Sequence, residues 1–128
     1  NFNTSKVKTM SGMFLGCNAL QKLNVSNFNT SKVTRMGDMF ESCNSLSKLD
    51  LSNFDTHNVK IMYYMFNMNT NLKTIYVSDK WDTSNVTESI AMFQRCTSLV
   101  GAVPFDSSKT DVSMANYTNG YLTYKSNN

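Results

Sequence analysis

The side chains best suited to chemistry in this chain are three cysteines, one histidine and a few recurring acids, and their spacing limits what they can do. Cys17, Cys43 and Cys96 share one position of a repeated unit, and Asn69 takes that position in the remaining copy. Three thiols with no CxxC pair lack the fourth ligand and the short paired spacing of zinc sites, and no regularly placed basic group accompanies them. They read instead as small buried hydrophobes, one per repeat. With helices flanking that position, neighbouring helices lie roughly 8–10 Å apart. That exceeds the roughly 4.4–6.8 Å Cα separation of a disulfide, so no Cys17–Cys43 bridge is expected.

His57 is the only histidine and stands where other repeats carry a turn serine. Catalysis needs several convergent titrating groups, and an isolated corner histidine supplies none of the others. Asp55 and Asp82 occupy one turn position that Asn3 and Asn29 fill elsewhere. Carboxylate and amide interchange there because both can hydrogen-bond turn backbone, a structural role rather than general acid chemistry. A stacked Asp/Asn ladder suggests calcium, but the glycine-rich nonapeptide of calcium-binding repeats is missing. Glycosylation-type triplets at Asn3, Asn24, Asn29, Asn85 and Asn116 follow from a chain so rich in Asn, Ser and Thr. No catalytic residue, metal ligand or cofactor is expected, and the chain reads as a non-enzyme.

These residues recur because the chain is written in units of about 26 residues. Val7, Val33, Val59 and Val86 are followed in turn by Met13-Phe14, Met39-Phe40, Met65-Phe66 and Met92-Phe93. A fixed period of this length means stacked coils, each packing on its neighbours. Within residues 46–71, Leu49 and Leu51 alternate with Asp50, the signal of a half-buried strand. Leu23-Asn24-Val25 and Ile75-Tyr76-Val77 are the equivalents. A polar corner follows, with one aromatic (Phe2, Phe28, Phe54 or Trp81) plugging the interior. Val59, Met62, Met65, Phe66 and Asn69 then recur as one face of a short helix. Ser31, His57 and Ser84 stand near its predicted N-cap, and Asn18 and Asn44 near its left-handed end. The nine methionines share the register of the phenylalanines and are expected to fill the core rather than a binding groove.

The run from Leu49 to Leu72 strongly resembles the BspA-like leucine-rich repeat family. It carries the Leu-x-Leu-Ser-Asn-Phe-Asp-Thr opening and the Met-x-x-Met-Phe centre, with His57 in place of the usual Ser and Asn69 in place of the usual Cys. The repeat covers residues 2–99, and Asp106–Asp111 and Gly120–Thr123 look like the segment that closes such arrays. The resemblance implies a bacterial, extracellular, surface-displayed module linked to adhesion, without naming a ligand.

The fold expected is α/β: a leucine-rich-repeat solenoid with short parallel strands on one side, short helices on the other and a C-terminal cap. Residues 1–99 form four repeats, the N-terminal one truncated, and residues 100–128 a capping segment. Pro104 cannot donate to a ladder, so Gly101–Phe105 is expected to be an edge or turn, and Tyr121–Tyr124 a final strand. The opening Asn1-Phe2-Asn3-Thr4 matches the middle of a repeat, as in a piece of a longer protein.

Only 16% of residues are charged, and the net charge of +3 comes from scattered lysines and arginines. A nucleic-acid interface needs a basic stripe, so none is expected. No stretch approaches the roughly 20 apolar residues of a membrane span; membrane or cell-wall contact is expected only through parts of a parent protein outside this chain. If the strand leucines and valines point inward, their neighbours point outward. Lys22, Asn24, Lys48, Asp50, Thr74 and Tyr76 are therefore the candidate binding residues, with Tyr76 as anchor. The inward positions repeat while Asn24, Asp50 and Tyr76 differ from coil to coil, as a scaffold with a variable face requires. The expected role is non-catalytic binding or adhesion to an extracellular protein or glycoprotein. The alternative is a structural spacer carrying a separate effector domain.

Overall fold

A helix sends each backbone N–H four residues back along the chain, and in this chain the bonds go elsewhere. The computed structural model describes residues 3–127; Phe2, expected as an interior plug, lies outside them. Met39 and Glu41 donate three residues back, to the carbonyls of Met36 and Asp38. Between them, Met36, Asp38, Phe40 and Ser42 donate at 2.9 Å to Ile61, Tyr63, Met65 and Asn67 of the next coil. Met62, Tyr64, Phe66 and Met68 do the same to Glu88, Ile90, Met92 and Gln94.

This pattern corrects the α/β expectation. Among the described residues there is no α-helix, and the sole helical element is a 3-10 turn at Val112–Met114. The methionine-phenylalanine segments are runs of tight turns hydrogen-bonded from coil to coil. Their inward spacing imitates a helix because successive tight turns also bring every third or fourth side chain inward. Asp38, Ser42, Tyr64, Met68, Ala91 and Arg95 have positive φ, in the same two positions that Gly12 and Gly16 occupy in the first coil. Asn18 and Asn44, the expected left-handed residues, are not among them. Each non-glycine residue there costs roughly 1–2 kcal/mol, offset by hydrogen bonds that a helix would have made internally.

Opposite the turns lies one open sheet of three short parallel strands, β1 (Lys48–Leu51), β2 (Thr74–Val77) and β3 (Thr123–Tyr124), in that order. Leu49 faces Ile75 and Leu51 faces Val77 across β1 and β2. Leu23–Val25 has the same alternation but forms no strand. There the Asn53 side chain donates to the Val25 and Phe28 carbonyls, each at 2.9 Å. A second column of single parallel bridges joins Thr9, Arg35, Ile61 and Glu88.

The core lies between sheet and turns. Phe14, Phe40, Phe66 and Phe93 stack in a column with centroids 5.5–5.7 Å apart and near-parallel planes. Tyr121 stands edge-on to Phe93 at 5.3 Å and ends the column. Val33, Met36, Met39, Phe40, Cys43 and Leu46 are fully buried, each large apolar side chain worth about 1.5–3 kcal/mol. Their first-coil counterparts Val7, Met13, Phe14, Cys17 and Leu20 are only partly buried.

Beyond the last repeat, Val100 bridges Pro104 antiparallel, so Gly101–Phe105 is a turn and not a strand. Tyr121 and Leu122 are buried in the core, and the final strand is confined to Thr123 and Tyr124. Trp81 Nε1 donates to the Ala115 carbonyl at 3.0 Å, tying the same segment to the polar corner.

Candidate binding face on the parallel strands

Strand alternation turns Leu49, Leu51, Ile75 and Val77 into the core. It leaves Lys48 exposed and Asp50, Thr74 and Tyr76 half-exposed on the open face. Lys22 and Asn24 are exposed on the unpaired segment of the first coil. Lys22, Lys48, Asp50 and Tyr76 meet around one shallow depression of about 670 Å³, together with Gln21 and Lys125. Asn24 belongs to a neighbouring depression of about 440 Å³ that it shares with Lys22, Asp50 and Ser52. Thr74 lies opposite Lys48 on β2 and lines neither of these two.

Two of these residues also shape the backbone. Asn24 Oδ1 accepts from the Ser26 N–H at 3.0 Å, and Asp50 Oδ1 accepts from the Ser52 N–H at 3.0 Å. These are side-chain turns of the kind Asn and Asp favour, and they set where each strand segment ends.

Lys125 is the residue the repeat pattern could not supply. Its backbone N–H donates to Val77 at 2.8 Å, which carries the tail one residue past β3. Its ammonium hydrogen-bonds Asp50 Oδ2 at 2.5 Å and lies 5.4 Å from the centre of the Tyr76 ring. Partial burial works to raise the Asp50 carboxyl, but hydrogen bonds from Lys125 and Ser52, with the charge of Lys125, outweigh it and hold the group below the usual carboxylate range. The Asp50 hydrogen bond and charge raise the Lys125 ammonium in turn.

The other chemistry-bearing residues are held in structural roles. Asp55 accepts from the His57 N–H, and His57 Nδ1 lies 2.6 Å from the same Asp55 oxygen on the exposed corner. Asn3, Asn29 and Asp82 make the equivalent turn bond to Ser5, Ser31 and Ser84. The Ser84 backbone and side-chain hydrogen bonds lower the Asp82 carboxyl. Beside two of the corners a buried threonine clamps the next coil. Thr56 Oγ1 donates to the Asp82 carbonyl at 2.8 Å and accepts the Asp82 N–H at 2.6 Å, and Thr30 does the same to Asp55. These clamps escaped the sequence reading, although the Thr of every corner was its visible mark.

Cys43 Sγ donates to the Phe14 carbonyl and Cys96 Sγ to the Phe66 carbonyl, at 3.1 and 3.0 Å. Burial pushes the two thiols up to about 11 and about 12, where thiolate chemistry is suppressed. Among the described residues all three cysteines are free, and no three His, Cys, Asp or Glu side chains come together as metal ligands.

No helix among the described residues is long and apolar enough to cross a membrane. No curated protein and no solved structure matches the chain. A family model described as Mycoplasma protein of unknown function, DUF285, matches residues 1–105, and the chain belongs to that family.

Proposed function

We propose that this chain is a non-catalytic binding module, displayed at a bacterial cell surface, that engages an extracellular protein or glycoprotein through its parallel-strand face. What carries the reading is the contrast between the two sides of each strand. Leu49 and Leu51 face Ile75 and Val77 inside, apolar against apolar, while Lys48, Asp50, Thr74 and Tyr76 outside share no common chemistry. A scaffold that holds its interior constant and varies its exterior suits recognition, and Tyr76 offers a large contact area at low entropic cost. The resemblance of Leu49–Leu72 to BspA-like repeats supports surface display and adhesion. The non-catalytic part of the reading rests on the structural use of Asp55, Asp82 and the cysteines. A spacer role is favoured by a separate observation, the Thr30 and Thr56 clamps, which stiffen the stack.

Interferometry against a panel of matrix and mucosal glycoproteins tests the proposal, with a Tyr76→Ala/Asp50→Lys double variant of matched thermal stability alongside. Binding that the variant loses supports the strand face. Binding that it retains moves the site elsewhere, and a silent panel favours the spacer.

A further inference from the structure

The tail beyond Leu122 is attached lightly. Thr123 and Tyr124 pair with two residues of β2, Lys125 adds one backbone bond, and no described residue after Leu122 is buried. Yet the tail brings its ammonium onto a selective pair of groups. The Asp50 carboxylate receives it directly, and the Tyr76 ring lies beside it. A carboxylate and an aromatic face converging on one ammonium select lysine or arginine, through charge and through the ring quadrupole. An extended segment added beside a strand gains main-chain bonds and places alternate side chains on the face. The tail does this in miniature.

The remaining charges describe the neighbours such a side chain should have. Lys22 and Lys48 line the same depression, and neither ammonium has a carboxylate partner among the described residues. We propose that the Asp50–Tyr76 face is a receptor for one basic side chain on an extended segment of a partner protein, flanked by acidic residues that meet Lys22 and Lys48. Lys125 is the internal occupant that this segment displaces. The inference deepens the binding-module reading and rests on it.

The test is an NMR titration of the full chain and its Lys125→Ala variant with the blocked peptide Glu-Thr-Lys-Thr-Glu, whose acids share the face of the central Lys. A control peptide carries Ala for the central Lys. The expected result is perturbation at Asp50 and Tyr76, with affinity at least about fivefold higher for Lys125→Ala, because an internal competitor has been removed. Binding should vanish with the control peptide and with Asp50→Asn, a variant that keeps the turn Asn24 makes in the first coil. Equal binding of the two peptides would make the depression a simple anion site and overturn the proposal. Equal affinity of native chain and Lys125→Ala, or no perturbation at Asp50 and Tyr76, would overturn it as well. The glycoprotein panel fails separately. Peptide binding with a silent panel upholds the lysine receptor while removing that class of partner. A panel partner indifferent to Asp50→Asn and Lys125→Ala keeps the binding module and removes the receptor.

Discussion

Asn69 donates its side-chain amide to the Phe40 carbonyl at 2.8 Å, the bond that Cys43 makes to Phe14 and Cys96 makes to Phe66. One position thus tolerates thiol and amide because each satisfies the carbonyl of the coil before it. The amide satisfies its own Phe66 carbonyl too, at 2.8 Å, but its Oδ1 is buried without a partner. Asn69→Cys is therefore expected to be neutral or to stabilise by up to about 1 kcal/mol, whereas Asn69→Leu leaves the Phe40 carbonyl without its partner and costs about 1–3 kcal/mol. Urea denaturation of the two variants checks the order.

Thr56 carries the clamp between corners. Thr56→Val keeps the shape but leaves the Asp82 N–H and carbonyl, both part-buried, without their partner, at about 1–2 kcal/mol. Thr56→Ser keeps both bonds and should lose far less. Equal losses in denaturant would show that the methyl packing, not the clamp, holds the coils.

Arg95 separates the turn architecture from a helical one by sign. Its φ is +64°, and its side chain is exposed. In a helix interior Arg95→Gly would cost about 1 kcal/mol. At a left-handed position glycine removes the strain at some entropic cost, so the melting temperature should hold or rise.

The Lys125–Asp50 contact has a pH window. Asp50 titrates lower in the folded chain, so its contribution is present above its unfolded value of about 3.9 and is lost as pH falls through the folded value. Lys125 titrates higher, so its contribution is complete below about 10.4 and is lost as pH rises through the folded value. The Tyr76 ring resonances should stay flat through neutral pH and move as Asp50 titrates below about pH 4, and Lys125→Ala, which removes the hydrogen bond and charge that lower Asp50, should move that acid-side step to higher pH. A step near neutrality would contradict the contact.

Much of the face was legible in the sequence, because strand alternation is a local signal. Lys48, Asp50, Thr74 and Tyr76 point outward as the period-two pattern required, and Leu49, Leu51, Ile75 and Val77 are buried. The turn segments were misread because Val59, Met62, Met65 and Phe66 have an inward spacing that helix and stacked turns share. What separates them is the destination of the N–H groups, which no hydrophobic pattern encodes. Gly12 and Gly16 were the available warning, since two glycines four apart suit a left-handed position better than a helix interior. Lys125 was invisible for another reason: it meets Asp50 across 75 residues of sequence and lies outside the repeat.

The most direct test of the strand-face account is hydrogen exchange on the chain alone and bound to a glycoprotein from the panel. The account predicts slowed exchange at residues 22–26, 48–52 and 74–78, with faster exchange at 123–127 as the tail is displaced. Protection confined to the corners at 55–59 and 82–86, or to the turns at 36–42, would contradict it.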